Sequence, residues 1–256
     1  MSGLLGSELL RLASRRVVRV LALLAVGGIL VGVAIGTVKS HPGGNGAELS
    51  LTGLTDVLKG SSFIMLVIAL VVGASSAGAD WQTGGFTTLL TWEPRRVRVL
   101  VARALVLAVG LFVIAIALQV LLSLAMAGGA RLRGTTVGAD STWLRGVTGT
   151  ILRIGIVSSI SAVLGLAVAT IGRNTSFALG AMFVYMAVLE GLLRGLAPSI
   201  SNALLSTNLA VFIDGRPGGG ATETLISVER ALVTIALYTS AVLVVAVGWF
   251  RTRDVT

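Results

Sequence analysis

The sequence predicts an all-α, polytopic integral membrane protein with six transmembrane helices. Three observations carry that prediction. Hydrophobic residues make up 55% of the 256 and charged residues only 12%, with a mean hydropathy of +0.95. A soluble domain carries about 25% charged residues, so this chain cannot clothe itself in polar surface; disorder needs still more charge and less apolar content. Six apolar windows reach the roughly 20 residues needed to cross about 30 Å of hydrocarbon. All four prolines, Pro42, Pro94, Pro198 and Pro217, fall between those windows, as expected of helices joined by turns. The short dyad alternation of barrel strands is absent.

The elements follow in order. Ser7 is placed to cap a short helix with Leu9, Leu12 and Ala13 on one face and Arg11, Arg15 and Arg19 on another. That pattern predicts an N-terminal elbow helix lying in the interface. The first span covers 20–38, too long for a cleaved signal. Its Gly28, Gly32 and Gly36 recur every four residues and allow close approach of a helix, either within the subunit or at a dimer seam. The second span is 60–79. The third, 104–130, is long enough to tilt. The fourth is 154–172, the fifth 174–193, broken only by Glu190, and the sixth 231–250. No internal repeat is visible, so residues 1–256 read as one membrane domain.

Six spans put both termini on one side. Arg11, Arg15, Arg16, Arg19, Arg95, Arg96, Arg98, Arg103, Arg173, Arg251 and Arg253 share that side, in shorter loops than the nine basic residues opposite. The bias predicts cytoplasmic termini in the cell inner (plasma) membrane, with Arg131, Arg133 and Arg145 as exceptions. The net charge of +9 therefore reports membrane orientation and not nucleic-acid binding.

The segment 80–98 reads DWQTGGFTTLLTWEPRRVR. Asp80 is placed to cap a helix start. Phe86, Leu89 and Leu90 form a short apolar stripe, Pro94 stops it, and Arg95, Arg96 and Arg98 follow at the membrane edge. On the residues alone this is an amphipathic helix anchored to anionic headgroups or a docking knob for a cytoplasmic partner.

An acidic residue after the second span (Asp80), a glycine (Gly84), a Leu-Leu pair (Leu89, Leu90), a Pro-Arg turn (Pro94 with Arg95 or Arg96) and a basic residue opening the third span (Arg103) resemble the ABC-2-type permeases. These are the membrane subunits of ATP-binding-cassette exporters. Gly85 stands where that family usually has threonine. The resemblance implies a coupling helix between spans 2 and 3 that docks on ABC ATPase subunits, a permease dimer with a second or related copy, and ATP and Mg on the partner only. The chain would then be no enzyme. It carries no Walker A loop: Lys39 lacks the glycine frame, and Lys59, the other lysine, is followed by Gly60. An ion-gradient-driven secondary transporter is the alternative function, wanting inverted repeats or intramembrane ionisable pairs; a non-transporting membrane scaffold is another.

Other candidates are fewer. Glu190 inside an apolar window costs about 2.5–3.5 kcal/mol on insertion scales. Either it pairs with Arg194 one turn on, or it is a polar group in a substrate path or subunit seam. Phe177, Met182, Phe183, Tyr185 and Met186 make the fifth span soft and aromatic, for packing or lining an apolar cavity. Segment 202–213 is predicted to be an amphipathic external helix. His41 stands alone and there is no cysteine, so no metal site is expected.

Overall fold

The computed structural model describes residues 2–40, 50–85, 95–219 and 225–252. The described residues are helical, with no strand beyond two isolated bridges. Helix α1 (Ser2–Ser14) is followed by a break at Arg15, whose φ of −64° and ψ of 126° are extended, and then by α2 (Arg16–Lys39). Helix α3 (Leu54–Gln82) follows a 3-10 turn at Leu51–Gly53. Then come α4 (Arg96–Arg133), α5 (Ser141–Gly172) and α6 (Thr175–Leu196). A 3-10 turn (Pro198–Ala203) leads to the short α7 (Leu205–Asp214), and α8 (Val228–Thr252) closes the described chain. Six of these helices, α2 to α6 and α8, are long and apolar enough to cross a membrane.

The observed spans correspond one to one with the predicted windows but run further. The windows stopped at charges, whereas helix α3 continues through Lys59 and α4 begins seven residues before Arg103. A helix satisfies its own backbone in any solvent, so a charge at its end changes only where the side chain points. Ser7 lies inside α1, which starts at Ser2, and Leu9 is exposed while Leu12 is buried. The helix predicted over 202–213 is present as α7, beginning at Leu205 because the preceding turn uses up Pro198–Ala203.

Helices α3 and α5 form the centre. Helix α5 is the most buried of the six spans and α2 the least, so α5 is the axis and α2 the outermost wall. Small residues set the central spacing. A Cβ on Gly73 would strike the backbone carbonyl of Ala162, and one on Gly165 would strike that of Leu70. The two backbones therefore touch, the small-residue packing that membranes favour. Ser161 Oγ donates to the Leu66 carbonyl at 2.9 Å across the same seam, and Ser159 Oγ to Ala108 of α4 at 2.7 Å. Two apolar clusters flank this axis. One joins Leu54, Leu58 and Leu122 to Leu209 and Phe212 of α7 and Ile235 of α8. The other joins Leu12 and Val18 to Leu100, Leu107 and Leu166.

Candidate functional site

At one end of the bundle five charged side chains, from three helices and the break between α1 and α2, meet. Asp80, in the last turn of α3, is buried and takes Arg15 on Oδ1 at 2.9 Å. Its Oδ2 takes Arg103 of α4 at 2.8 Å and Arg11 of α1 at 3.3 Å. Arg103 also grips Glu8 of α1 through Nε at 3.2 Å and Nη2 at 3.3 Å. Arg103 is 2% exposed, among the most deeply buried large side chains described. Its Nη1 donates to the Ser76 carbonyl at 3.1 Å, while Arg15 donates to Ser75 and Ser76 carbonyls at 2.9 and 3.1 Å.

The arrangement follows from elementary electrostatics. Asp80 adds a full negative charge in the last turn of α3, where the helix dipole disfavours it, and the arginines bond it together with the Ser75 and Ser76 carbonyls further into the helix. Guanidinium groups, flat and many-donored, can serve carboxylate and carbonyls together. Burial pushes the Arg15 guanidinium below its usual range, opposed by the facing Asp80 carboxylate. Three arginines face two carboxylates, leaving a surplus positive charge on the carbonyl edge. Nearby, Arg173 lies over the Trp81 ring at 4.6 Å, and Trp81 meets Phe250 of α8 edge-on at 5.9 Å. Arg96 donates to the Phe250 carbonyl at 3.3 Å. Helices α1, α3, α4, α5 and α8 are thus tied together at this end.

The structure places Asp80 in the last turn of α3, two residues before its end at Gln82, and Thr83 and Gly84, at φ +70°, turn the chain after it. Arg96 and Arg98 belong to the first turn of α4, and Arg95 precedes it. Phe86, Leu89, Leu90 and Pro94 lie outside the described residues. Arg11 and Arg15 were missed as partners of Asp80, and Glu8 as a partner of Arg103, because 65 or more residues separate each pair. The one local hint was a lone acid, Glu8, in an arginine-rich stretch.

Glu190 has a different role from the pairing with Arg194 expected one turn on. It is 1% exposed and accepts the backbone N–H of Leu205 at 2.9 Å and of Ser206 at 3.1 Å. It thereby caps α7 from a distance, supplying a carboxylate to the positive end of that helix. Arg194 instead reaches the Ser206 and Thr207 hydroxyls at 2.9 and 3.4 Å. A π-helical stretch, Val184–Leu189, immediately precedes Glu190 within α6. Glu190→Ala should cost about 1–3 kcal/mol by stranding two buried N–H groups, while Glu190→Gln, which keeps an acceptor, should cost less. Thermal unfolding of the two variants, with amide exchange at Leu205–Thr207, measures this; equal loss in both would refute the cap.

Gly28, Gly32 and Gly36 line an apolar groove of about 670 Å³ between α2, α3 and α4. A Cβ on Gly28 or Gly32 meets nothing within 4 Å, so at these two positions the row packs against no described helix. Phe177, Met182, Phe183, Tyr185 and Met186 do not line that groove. Phe177 and Phe183 are exposed, while Tyr185 and Met186 pack against the cluster around α7 and α8. Among the described residues no group of three His, Cys, Asp or Glu side chains could hold a metal.

One family matches the chain, over residues 31–256, described as a protein of unknown function, DUF2705. None of the curated proteins matches it.

Proposed function

We propose that this chain, which belongs to the DUF2705 family, is the permease subunit of an ATP-driven exporter, powered by separate ATPase subunits. The observation that carries the reading is the five-residue ionic cluster at the root of segment 83–95. The resemblance of that segment to a coupling loop would matter little if the loop hung from one helix. Here its two ends emerge beside Asp80 and, eight residues into α4, Arg103, which share one ionic cluster with α1. A push on the loop is delivered to α1, α3 and α4 at once, as a lever requires. Helix α1 is the elbow helix of this reading, lying in the cytoplasmic interface, and both termini are cytoplasmic. In the assembly two permease copies form the pathway, and closure of two ATPases tilts their helices. Basic side chains flanking the loop steer an acidic partner to it.

Three measurements test this. A periplasm-active reporter should be silent at Thr256 and active near Gly219; activity at Thr256 would reverse the orientation. Leu89→Ala with Leu90→Ala should leave membrane insertion intact and reduce recovery of the co-expressed ATPase at least tenfold, since each buried leucine is worth about 1.5–3 kcal/mol. Arg95→Glu should weaken the complex less at high salt than at low salt, as screening shortens its reach. Normal recovery of the ATPase by the double variant would end the docking claim.

A further inference from the structure

We propose that Arg16 and Arg19, at the start of α2, together seat the phosphate of an anionic phospholipid. The placement follows from one helical face. Arg16, Arg19, Val20, Leu23, Leu24 and Leu30 recur at steps that return to the same side of a helix, and all are exposed. The exposed apolar run continues to Val38. From Val20 to Val38 it measures about 27 Å at 1.5 Å per residue, close to the roughly 30 Å of hydrocarbon in a bilayer. Helix α2 is the least buried of the spans, so acyl chains cover this run. The two arginines occupy the single turn before it, at the depth of the headgroups.

Charge selects the lipid. The break at Arg15 divides neighbouring arginines between two tasks. Arg15 turns inward to Asp80 and the α3 carbonyls, whereas the Arg16 side chain has no partner among the described residues. Arg19 commits one nitrogen, Nη2, to the Ser14 carbonyl at 2.9 Å and keeps its other donors. Residues three apart on a helix stand about 5–6 Å from each other at Cβ, so one phosphate can reach both guanidinium groups, whose flat donor forks suit it. No Asp or Glu occurs between Glu8 and Glu48, so no neighbouring acid in sequence neutralises the pair, and the ionic cluster behind it adds its own surplus positive charge. A choline headgroup brings a cation beside its phosphate, which the arginines repel; an anionic headgroup does not. The site requires only that α2 crosses the membrane.

The experiment uses the full chain in phosphatidylcholine nanodiscs carrying a trace of photoreactive phosphatidylglycerol or photoreactive phosphatidylcholine. Each probe has a diazirine near the top of one acyl chain. An arginine close to an anionic surface is worth a factor of about five, so the phosphatidylglycerol probe should label residues 20–31 roughly 25-fold more than the other. That ratio should shrink at 1 M salt, where screening is strongest. Arg16→Gln with Arg19→Gln should bring it to about one, and Arg16→Lys with Arg19→Lys should keep most of it. Arg131→Gln with Arg133→Gln, exposed at the opposite end of α4, should leave it unchanged. A melting curve shows whether the glutamine variant is folded; if it is not, the wild-type ratio at the two salt concentrations decides. A wild-type ratio near one, a ratio the glutamine variant does not move, or an equal preference on the outward faces of α4 and α8 would overturn the proposal. So would a dimer cross-linked through α2 that excludes both probes, since a second copy would then hold the face. No ATPase is present, so failure here is separate from failure of the exporter reading.

Discussion

Asp80→Ala should lower the melting temperature by roughly 10 °C or more, reflecting a loss of about 3–5 kcal/mol. The reason is asymmetry. A buried ion pair gains little over a well-packed apolar one, but removing a single partner leaves the other charged and desolvated. Asp80 is the common partner of Arg11, Arg15 and Arg103; without it only Glu8 faces three guanidinium groups. Lys59→Met is the control. It breaks the pair with Asp214, whose side chain is 48% exposed, and should cost less than about 1 kcal/mol. Reversal of that order in unfolding scans would show that the cluster is not a structural anchor. Asp80→Ala combined with Arg103→Met should recover part of the loss, because the most buried of the stranded charges leaves with its partner.

Gly73→Leu should abolish folded protein. The smallest possible side-chain atom at this position already meets the Ala162 carbonyl, and a carbonyl on a packed helix cannot swing aside as a long side chain can. Helices α3 and α5 would have to separate along their length, taking with them the Ser161 bond to Leu66 and the contacts of the buried Ala69, Val72 and Ala169. Gly165→Leu, which meets Leu70 from the opposite helix, should behave alike. Gly28→Leu should not, since that position faces open space. The recovery of monodisperse protein after solubilisation distinguishes the three, and tolerance of Gly73→Leu would show that the central seam can spread.

The six spans were legible because hydrocarbon imposes a length and a composition on any segment that crosses it. Their ends were not, because charge was used as a boundary. Arg103 lies inside α4, since its charge is met by Glu8 and Asp80, and nothing local to residue 103 announces partners at 8 and 80. Asp80 itself was singled out, but its contacts with Arg11, Arg15 and Arg103 are made across the fold and were not. Glu190 was legible as an anomaly, while its solution, the amides of Leu205 and Ser206, depends on how α7 folds back. The glycine row of α2 was visible as a row; that it lines a groove required the positions of α3 and α4.

The long sequence separations inside the ionic cluster carry a consequence for how the protein is made. Residue 8 must wait for residue 103, 95 positions later, and at about 5–20 residues per second that delay is on the order of 5–20 s. Until then Glu8 lacks its distant partner, and α1 is held only by what Arg11 and Arg15 make with the end of α3. Helix α1 is thus fully secured only once α4, made well after it, has entered the bilayer. Chains halted before Arg103 would leave α1 more open to proteases than chains halted after α4.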